Sequence, residues 1–303
     1  MEQRMNYQLI TDATADIPAE LQLRIPELKI IPMEIVLDGK ARAYGPDGDL
    51  SVSEFYKLLR SGQYGSTSQI TPAVYRETFE QYLEQGKDIL YLCFSSGMSA
   101  TWQNACMCAE ELKEEYPDRE IRCVDTLCAC AGEGFLVYEA AKKWLGGESL
   151  DEVAKWTKKY RLNVCHLFTV DTLKYLEKGG RISKAAAAMG TALQIKPLLR
   201  VDESGKLIIA GKPRGRRQPM EAKIKEMGKS WLPEIGRTVF IAHGDAFEEA
   251  CRMKQEIQKK FPLSECYIVP VSPVIGIHTG PGMQAIIFWG KNRQSYMEYM
   301  KKE

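Results

Sequence analysis

Strand-like and helix-like segments alternate along the first 160 residues, and this alternation limits the folds that the chain can form. The apolar runs at residues 7–12, 89–94 and 121–126 are each followed by a polar turn and then by a helix-like stretch. Strands that alternate with helices pair in parallel, because each helix crosses back over the sheet. The sequence therefore predicts an α/β fold whose N-terminal domain, residues 1–161, is a parallel-sheet α/β/α unit.

The pattern changes after the break at Gly146-Gly147. Strand-like runs such as VCHLFTVDTLKYL at residues 164–176 and TVFIAH at 238–243 can pair antiparallel, with a helix predicted at ISKAAAAMGTALQ, residues 182–194. We predict a second α/β domain with a mixed sheet over residues 162–303. No long linker separates the two domains, so we expect them to pack closely around a ligand cleft.

Composition excludes several classes of function. The net charge of +1 gives no global field that would attract nucleic acid or a membrane surface. No apolar run is long enough to cross a bilayer, and the N-terminal stretch has no signal-like apolar segment, so a cytoplasmic protein is expected. The nine cysteines lack the paired spacing of zinc or redox sites and are expected to be reduced thiols.

Hydroxyl side chains are concentrated in turns that follow predicted strands. In an open α/β sheet, ligands bind beyond the carboxyl ends of the strands, where hydroxyls and free backbone N–H groups suit an anion. The alternative is simple helix capping, for which Ser and Thr are preferred in any protein. The turns contain Thr11, Asp12 and Thr14; Ser66, Thr67 and Ser68; and Ser95, Ser96, Ser99 and Thr101.

The three histidines differ in their surroundings. His166 lies in an apolar strand and is expected to be a core histidine, while His243 ends a strand and suits a structural turn. His278 lies in IGIHTGPG, residues 275–282, among glycines and a proline that predict a rigid loop. A rigid loop can aim one imidazole at one target, so we expect His278 to contact a ligand.

Two basic segments are candidates for anion recognition. Arg181 follows two glycines in EKGGRISKAAAAMG, residues 177–190, where it suits either a carboxylate or phosphate clamp or a solvated position after a helix end. The segment KPRGRRQP is either a solvated loop or a docking patch for an acidic or phosphate-bearing partner. It contains Lys212, Arg214, Arg216 and Arg217.

The common catalytic motifs are missing. SSGMS does not match the GxSxG nucleophile turn, and no carboxylate beside His278 completes a catalytic triad. The chain has no GxxxxGK[ST] phosphate loop, and the two glycines of AGEGFL, residues 131–136, are explained equally well by close helix–strand packing.

Taken together, the motifs resemble those of the DegV family, the bacterial fatty-acid-binding proteins that serve as the B subunit of fatty acid kinase. The resemblance covers nearly the whole chain, with Ala13 and Ala100 as departures from the family pattern. The segments that carry it are ITDATAD, STSQITP, SSGMSATWQNA, VDTLKYLEKGGRISKA, LQIKPLL and IGIHTGPG.

The resemblance implies a protein that encloses one long-chain fatty acid, such as palmitate, stearate or oleate, without a cofactor or an activity of its own. A separate ATP-dependent kinase would phosphorylate the bound carboxylate for phospholipid synthesis, and transient contact with a membrane is compatible with that role. The implied carboxylate-binding residues are Thr67, Ser68, Ser95, Ser96, Arg181, His278 and the adjacent Thr279. The alternatives are an enzyme that acts on a small anionic substrate and a lipid-sensing regulatory protein.

Overall fold

A computed structural model of the chain describes residues 6–188, 196–214 and 218–295. The strands in chain order are β1 (Tyr7–Asp12), β2 (Lys29–Ile31), β3 (Met33–Leu37), β4 (Lys40–Tyr44), β5 (Gly65–Thr67), β6 (Asp88–Cys93), β7 (Ile121–Asp125), β8 (Val164–Thr169), β9 (Leu198–Val201), β10 (Leu207–Gly211), β11 (Thr238–His243), β12 (Glu265–Pro270) and β13 (Gln284–Trp289). The helices are α1 (Ala19–Gln22), α2 (Val52–Arg60), α3 (Pro72–Leu83), α4 (Thr101–Glu115), α5 (Cys130–Leu145), α6 (Leu150–Tyr160), α7 (Lys174–Lys178), α8 (Lys184–Ala188), α9 (Gln218–Ser230), α10 (Phe247–Lys260) and α11 (Pro273–Thr279).

The predicted parallel sheet is present, in the order β2-β1-β6-β7. All of its neighbouring strands run parallel, with Leu9 opposite Leu90 in the register of β1 and β6. Every residue of β1 is buried, which is expected of a strand covered on both faces by helices. The apolar runs of the sequence therefore predicted this layer correctly.

An antiparallel sheet in the order β4-β3-β5 lies beside the parallel one and was not predicted. Its β3–β4 hairpin turns at Asp38 and Gly39, both of which have positive φ angles of 47° and 75°. The short strand β5 pairs with β3 so that Thr67 lies opposite Ile35. This pairing positions Thr67, which the hydroxyl-rich turn had marked as a candidate ligand contact.

The second sheet is mixed, as predicted, with the order β10-β9-β8-β13-β11-β12. Only the β11–β12 pair is parallel within the described residues of this sheet. Its strands lie after residue 163 and those of the other sheets before residue 126, so the predicted boundary at 161/162 falls between the two sets. A division into two domains at that boundary stays a prediction.

Helix α5 joins the two sets of strands. Phe135 on this helix packs edge-to-face on Phe240 and Trp289 of the mixed sheet, with ring centroids 5.1 and 5.0 Å apart. A Cβ at Gly132 would lie 1.9 Å from Nε2 of His166, and one at Gly134 would lie 2.2 Å from the carbonyl oxygen of Asp16. Close packing therefore accounts for the two glycines of AGEGFL.

Two sequence predictions need correction or lie partly outside the structure. The run at 164–176 is not one strand, since β8 ends at Thr169 and α7 begins at Lys174. The helix predicted at 182–194 is observed as α8, Lys184–Ala188, and its part beyond 188 lies outside the described residues.

Across the described parts of the chain, no helix is both long and apolar enough to cross a membrane. The nine cysteines are free thiols. Within the same residues, no group of three or more histidine, cysteine or acidic side chains is arranged to hold a metal ion.

Candidate functional site

The side chains of Thr67 and His278 meet across the molecule. Oγ1 of Thr67, at the end of β5, lies 3.0 Å from Nε2 of His278. His278 does not lie in a loop, as the glycines had suggested, because Pro273 begins the short helix α11 and the histidine occupies its last turn. Gly280 ends this helix with a φ of 73°, so the glycine permits the chain reversal just after His278.

The imidazole of His278 is held by close packing on the Gly179-Gly180 segment. A Cβ at position 179 would lie 2.3 Å from Nδ1 of His278, so only glycine leaves room for the ring. Burial, with the nearby positive charge of Arg181 acting in the same direction, lowers the pKa of His278 to about 4. The imidazole is therefore neutral at neutral pH and can either donate or accept one hydrogen bond at Nε2.

Arg181 lies beside this imidazole at the end of the same tight turn. Its Nη1 donates to the carbonyl oxygen of Gly179 at 2.5 Å, and Gly180 has a φ of 73°. Burial lowers the pKa of Arg181, which nevertheless stays protonated because a guanidinium loses its proton only at very high pH. The turn ends α7, as one of the two alternatives expected, but Arg181 is half-buried in the cavity lining and not solvated, and its role as an anion clamp stays a prediction.

Thr67, Arg181, His278 and Thr279 line one cavity. Its other polar lining residues are Thr14, Ser99, Thr101, Cys130 and His166. The rest of the lining is apolar and comes from both sets of strands and their helices. These residues are Met33, Phe94, Met98, Ala129, Phe168, Leu176, Val201, Leu207, Val274, Ile275, Met283, Ala285 and Ile287.

The sequence and fold of the chain match those of known proteins. A family model described as an uncharacterised protein of the DegV family matches residues 6–291. The chain belongs to the DegV family. The motif resemblance in the sequence is thereby confirmed.

Several DegV proteins are similar to the chain over almost its full length. The DegV domain-containing protein CPE0026 of Clostridium perfringens is 38% identical over 290 residues, which are 95% of this chain and 99% of that protein. A fatty-acid-binding DegV protein of Thermus thermophilus is 28% identical, with a TM-score of 0.83 over 94% of this chain and all of that one. The fatty-acid-binding DegV protein SAG1342 of Streptococcus agalactiae is 26% identical, with a TM-score of 0.81 over 93% of this chain and 98% of that one.

The structure does not bring every predicted residue of the DegV motifs to the cavity. Ser95 is fully buried, and its hydroxyl donates to the carbonyl oxygen of Gly205 at 2.8 Å. The backbone N–H of Ser96 donates to the Asp125 carboxylate. Ser68 is exposed, and its backbone N–H donates to the carbonyl oxygen of Glu34. Ser68, Ser95 and Ser96 are all missing from the lining.

Ser99 and Thr101 take the place of Ser95 and Ser96 on the cavity surface. Their hydroxyl oxygens are 2.8 Å apart, and both residues line the cavity at the start of α4. The sequence had marked them as part of the hydroxyl-rich turn but not as site residues. Nothing in the spacing of SSGMSAT tells which hydroxyls face the ligand, because that depends on how the turn packs.

Two buried carboxyl groups, those of Asp12 and Glu133, contact the cavity-lining residue Thr14. Thr14 Oγ1 contacts carboxyl oxygens of both Asp12 and Glu133, the latter at 2.8 Å. A hydroxyl has only one proton to donate, so one of these carboxyl groups must carry a proton of its own. Burial raises the pKa of both groups, and that of Glu133 well above its usual value. Asp12 also accepts hydrogen bonds from the Thr14 N–H and the Tyr91 hydroxyl, which favour its charged form, so Glu133 is the better candidate for the protonated partner.

Asp16 links this turn to the helix that carries His278. Its Oδ1 accepts the backbone N–H of Ser272, just before α11, at 3.1 Å, and Cys130 Sγ lies 2.9 Å from Oδ2. Burial raises the pKa of Asp16 to about 7. The acidic residues of ITDATAD thus have a structural role, which the sequence interpretation missed because it grouped Asp12 with the candidate anion-binding hydroxyls and did not consider Asp16.

The remaining candidates lie away from the cavity or outside the described residues. His243 ends β11 and accepts the backbone N–H of Ala246 on Nδ1 at 3.2 Å, as expected of a structural turn. Lys212 and Arg214 are exposed, and Arg216 and Arg217 lie outside the described residues. His166 is buried, as expected, but it also lines the cavity.

Proposed function

We propose that the protein binds one long-chain fatty acid in this cavity, with the carboxylate between Thr67, Arg181 and His278. One observation carries the proposal: among the described residues that line the cavity, Arg181 is the only one with a full charge at neutral pH. A single cation in the lining of an otherwise mostly apolar cavity suits a ligand with one anionic end and an apolar tail. The DegV relatives from Thermus thermophilus and Streptococcus agalactiae, which bind fatty acids, support the same ligand class.

The two ends of such a ligand would contribute differently. Burial of about 15 methylene groups at about 0.8 kcal/mol each gives roughly 12 kcal/mol before the costs of binding. The tail therefore supplies most of the affinity. The head group is oriented by hydrogen bonds from a hydroxyl, a neutral imidazole and a guanidinium, which offset the cost of removing a carboxylate from water.

The finer part of the proposal is that the bound carboxylate is presented to a separate ATP-dependent kinase, which forms the acyl phosphate. The resemblance of the sequence motifs to fatty acid kinase B subunits supports this role. Thr67, Arg181 and His278 are each only partly buried, which favours access to the head group from the surface. In this role the protein is a cytoplasmic carrier without a cofactor, and the basic segment at 212–217 docks the kinase.

Lipid analysis of the purified protein tests the proposed ligand. Protein produced in bacteria is denatured and extracted, and the extract is quantified by mass spectrometry against the protein concentration. We expect a long-chain fatty acid in a molar ratio near that of the protein. A protein that carries no lipid, takes up none when fatty acid is added, and turns over a phosphate ester would instead establish the small-substrate enzyme.

A further inference from the structure

A second, smaller cavity shares the lining residues His166 and Val201 with the proposed acyl site. Its volume is about 20 Å³. About 10–15 Å³ is enough for one water-sized occupant. Its polar lining comes from Cys165, His166, Arg200, Ser230, Lys291 and Arg293, and no acidic residue of the described chain lines it.

Arg293 is the unusual member of this lining. Its side chain belongs to a residue only 4% exposed, and its guanidinium donates to the carbonyl oxygens of Asp202, Leu127 and Arg161 at 2.8, 2.9 and 3.0 Å. These acceptors are uncharged, and Nε is buried without a hydrogen-bond partner. Within the described chain, no carboxylate forms an ion pair with Arg293, and an uncompensated buried cation is costly.

The other charges around the cavity do not neutralise Arg293. Arg200 forms an ion pair with Glu226 at 2.5 Å, and the second oxygen of Glu226 contacts Lys229 at 2.9 Å. Lys291 is exposed and lines the same cavity. The lining therefore has an excess of positive charge from Arg293 and Lys291.

His166 adds a neutral donor. Its Nε2 accepts the backbone N–H of Ala129 at 3.4 Å, which leaves the proton of the neutral ring on Nδ1. Nδ1 is buried and has no hydrogen bond of normal geometry in the described chain, although the backbone of Val164 is close enough to act on the ring as a weak acceptor. The unpartnered Nε–H of Arg293, the weakly bonded N–H of His166 and two cations thus belong to residues that line one small cavity.

We propose that this cavity binds a small monovalent anion of the size of chloride, held by Arg293, Lys291 and the Nδ1–H of His166. A water molecule could satisfy the hydrogen bonds, but it would leave the buried charge of Arg293 uncompensated. His166 and Val201 line both cavities, so the anion also fixes the ring that forms part of the acyl-cavity wall. The proposal goes beyond lipid binding and stands independently of it.

Anomalous diffraction tests the proposal directly. Crystals of the full chain grown with sodium bromide in place of sodium chloride are measured at the bromine absorption edge. We expect an anomalous peak in the cavity beside Nε of Arg293. A cavity that contains only water, or one in which a carboxylate of the chain meets Arg293, overturns the proposal.

Thermal unfolding tests the site in solution. At equal ionic strength, we expect the wild-type Tm to rise with chloride or bromide relative to gluconate, an anion too large for the cavity. The rise in Tm should saturate with halide concentration. It should vanish in Arg293→Met and persist in the control Arg252→Met, which changes an exposed arginine.

Should Arg293→Met fail to fold, Lys291→Gln serves instead and should weaken the apparent halide affinity severalfold. Equal Tm values in all the salts, with any bromide visible only in crystals, overturn the proposal.

Discussion

Thr67 and His278 are 211 positions apart in the chain, yet Thr67 Oγ1 and His278 Nε2 are separated by only 3.0 Å. Strand β5 contributes the first residue and helix α11 the second, so the contact forms only when the antiparallel sheet and α11 pack together. The pair lies near Arg181, and all three residues line the same cavity, whose lining is otherwise mostly apolar.

Removal of either member of this pair should weaken fatty acid binding. We expect Thr67→Val and His278→Ala each to lower affinity, with a coupling energy of about 0.5–1.5 kcal/mol in the double variant because they share one hydrogen-bond network. Displacement of a fluorescent fatty acid measures the affinities. The matched control is Ser96→Ala. Ser96 belongs to the DegV-like segment SSGMSATWQNA, but its hydroxyl does not line the cavity. Equal losses in the control would place the head group elsewhere.

Gly179→Ala should displace the imidazole of His278. The added Cβ would lie 2.3 Å from Nδ1, and overpacking of this kind costs about 1–3 kcal/mol. We expect a lower Tm together with weaker fatty acid binding, measured by calorimetry and by lipid titration. In the control Gly228→Ala the nearest atom is 3.7 Å from the new Cβ, so lipid binding should be unchanged. Normal binding in Gly179→Ala would show that the position of His278 does not matter for the ligand.

Arg181→Gln should weaken binding of the ligand's carboxylate head group and leave binding of its apolar tail unchanged. The guanidinium is the single full charge among the described lining residues, and charge-assisted hydrogen bonds contribute about 1.5–3 kcal/mol. We therefore expect the affinity for a fatty acid to fall about tenfold or more, while that for its methyl ester stays the same. Isothermal titration with both ligands measures this difference. A parallel loss for acid and ester would mean that Arg181 shapes the cavity but does not bind a carboxylate.

Asp16→Asn should change how stability depends on pH. Burial raises the pKa of Asp16 from 3.8 to about 7 in the folded protein, so the folded state holds a proton that the unfolded state has already lost. Protonated Asp16 therefore contributes fully to the free energy of unfolding below pH about 4, and this contribution is lost as the pH rises to about 7. At about 1.4 kcal/mol per pKa unit, the loss is up to about 4 kcal/mol.

Calorimetry across this pH window checks the prediction for Asp16. The Tm of Asp16→Asn relative to wild type should rise with pH between about 4 and about 7, because the asparagine cannot ionise. Asp47→Asn, at an exposed position, is the control and should follow the wild type throughout. A constant Tm difference between Asp16→Asn and wild type across this pH range would mean that ionisation of Asp16 does not destabilise the folded protein.

Charge reversal in the basic segment should separate lipid binding from phosphorylation. We expect Arg216→Glu with Arg217→Glu to leave the bound fatty acid in place and to reduce acyl phosphate formation by the partner kinase, because opposite charges steer docking. Acyl phosphate is measured as hydroxamate after incubation with kinase and ATP. Charge reversal at Arg252, an exposed residue of α10, is the control. Unchanged phosphorylation in the double variant would make the segment a solvated loop.

Much of the fold could be read from local patterns. The alternation of apolar runs and helices predicted the parallel sheet β2-β1-β6-β7, and its loss after residue 162 predicted the mixed sheet. Periodicity suffices for these elements because a strand buried on both faces has a continuous apolar run, and a strand buried on one face has alternating apolar and polar residues. The ordered motifs from ITDATAD to IGIHTGPG also indicated the DegV family, which the family match confirms.

What the sequence by itself determined was thus the class of the parallel and the mixed sheet, the family, and Thr67, Arg181 and His278 as candidates for one site, but not the antiparallel sheet β4-β3-β5. Only the tertiary structure decided that Ser95 turns toward Gly205 while Ser99 faces the cavity, and that Gly179 leaves room for the ring of His278. The physical reason is that periodicity and turn chemistry are local, whereas the direction of a side chain at the end of a strand depends on what packs against it. For His278, the partners that fix this direction come from β5 and from the turn after α7, both distant in sequence.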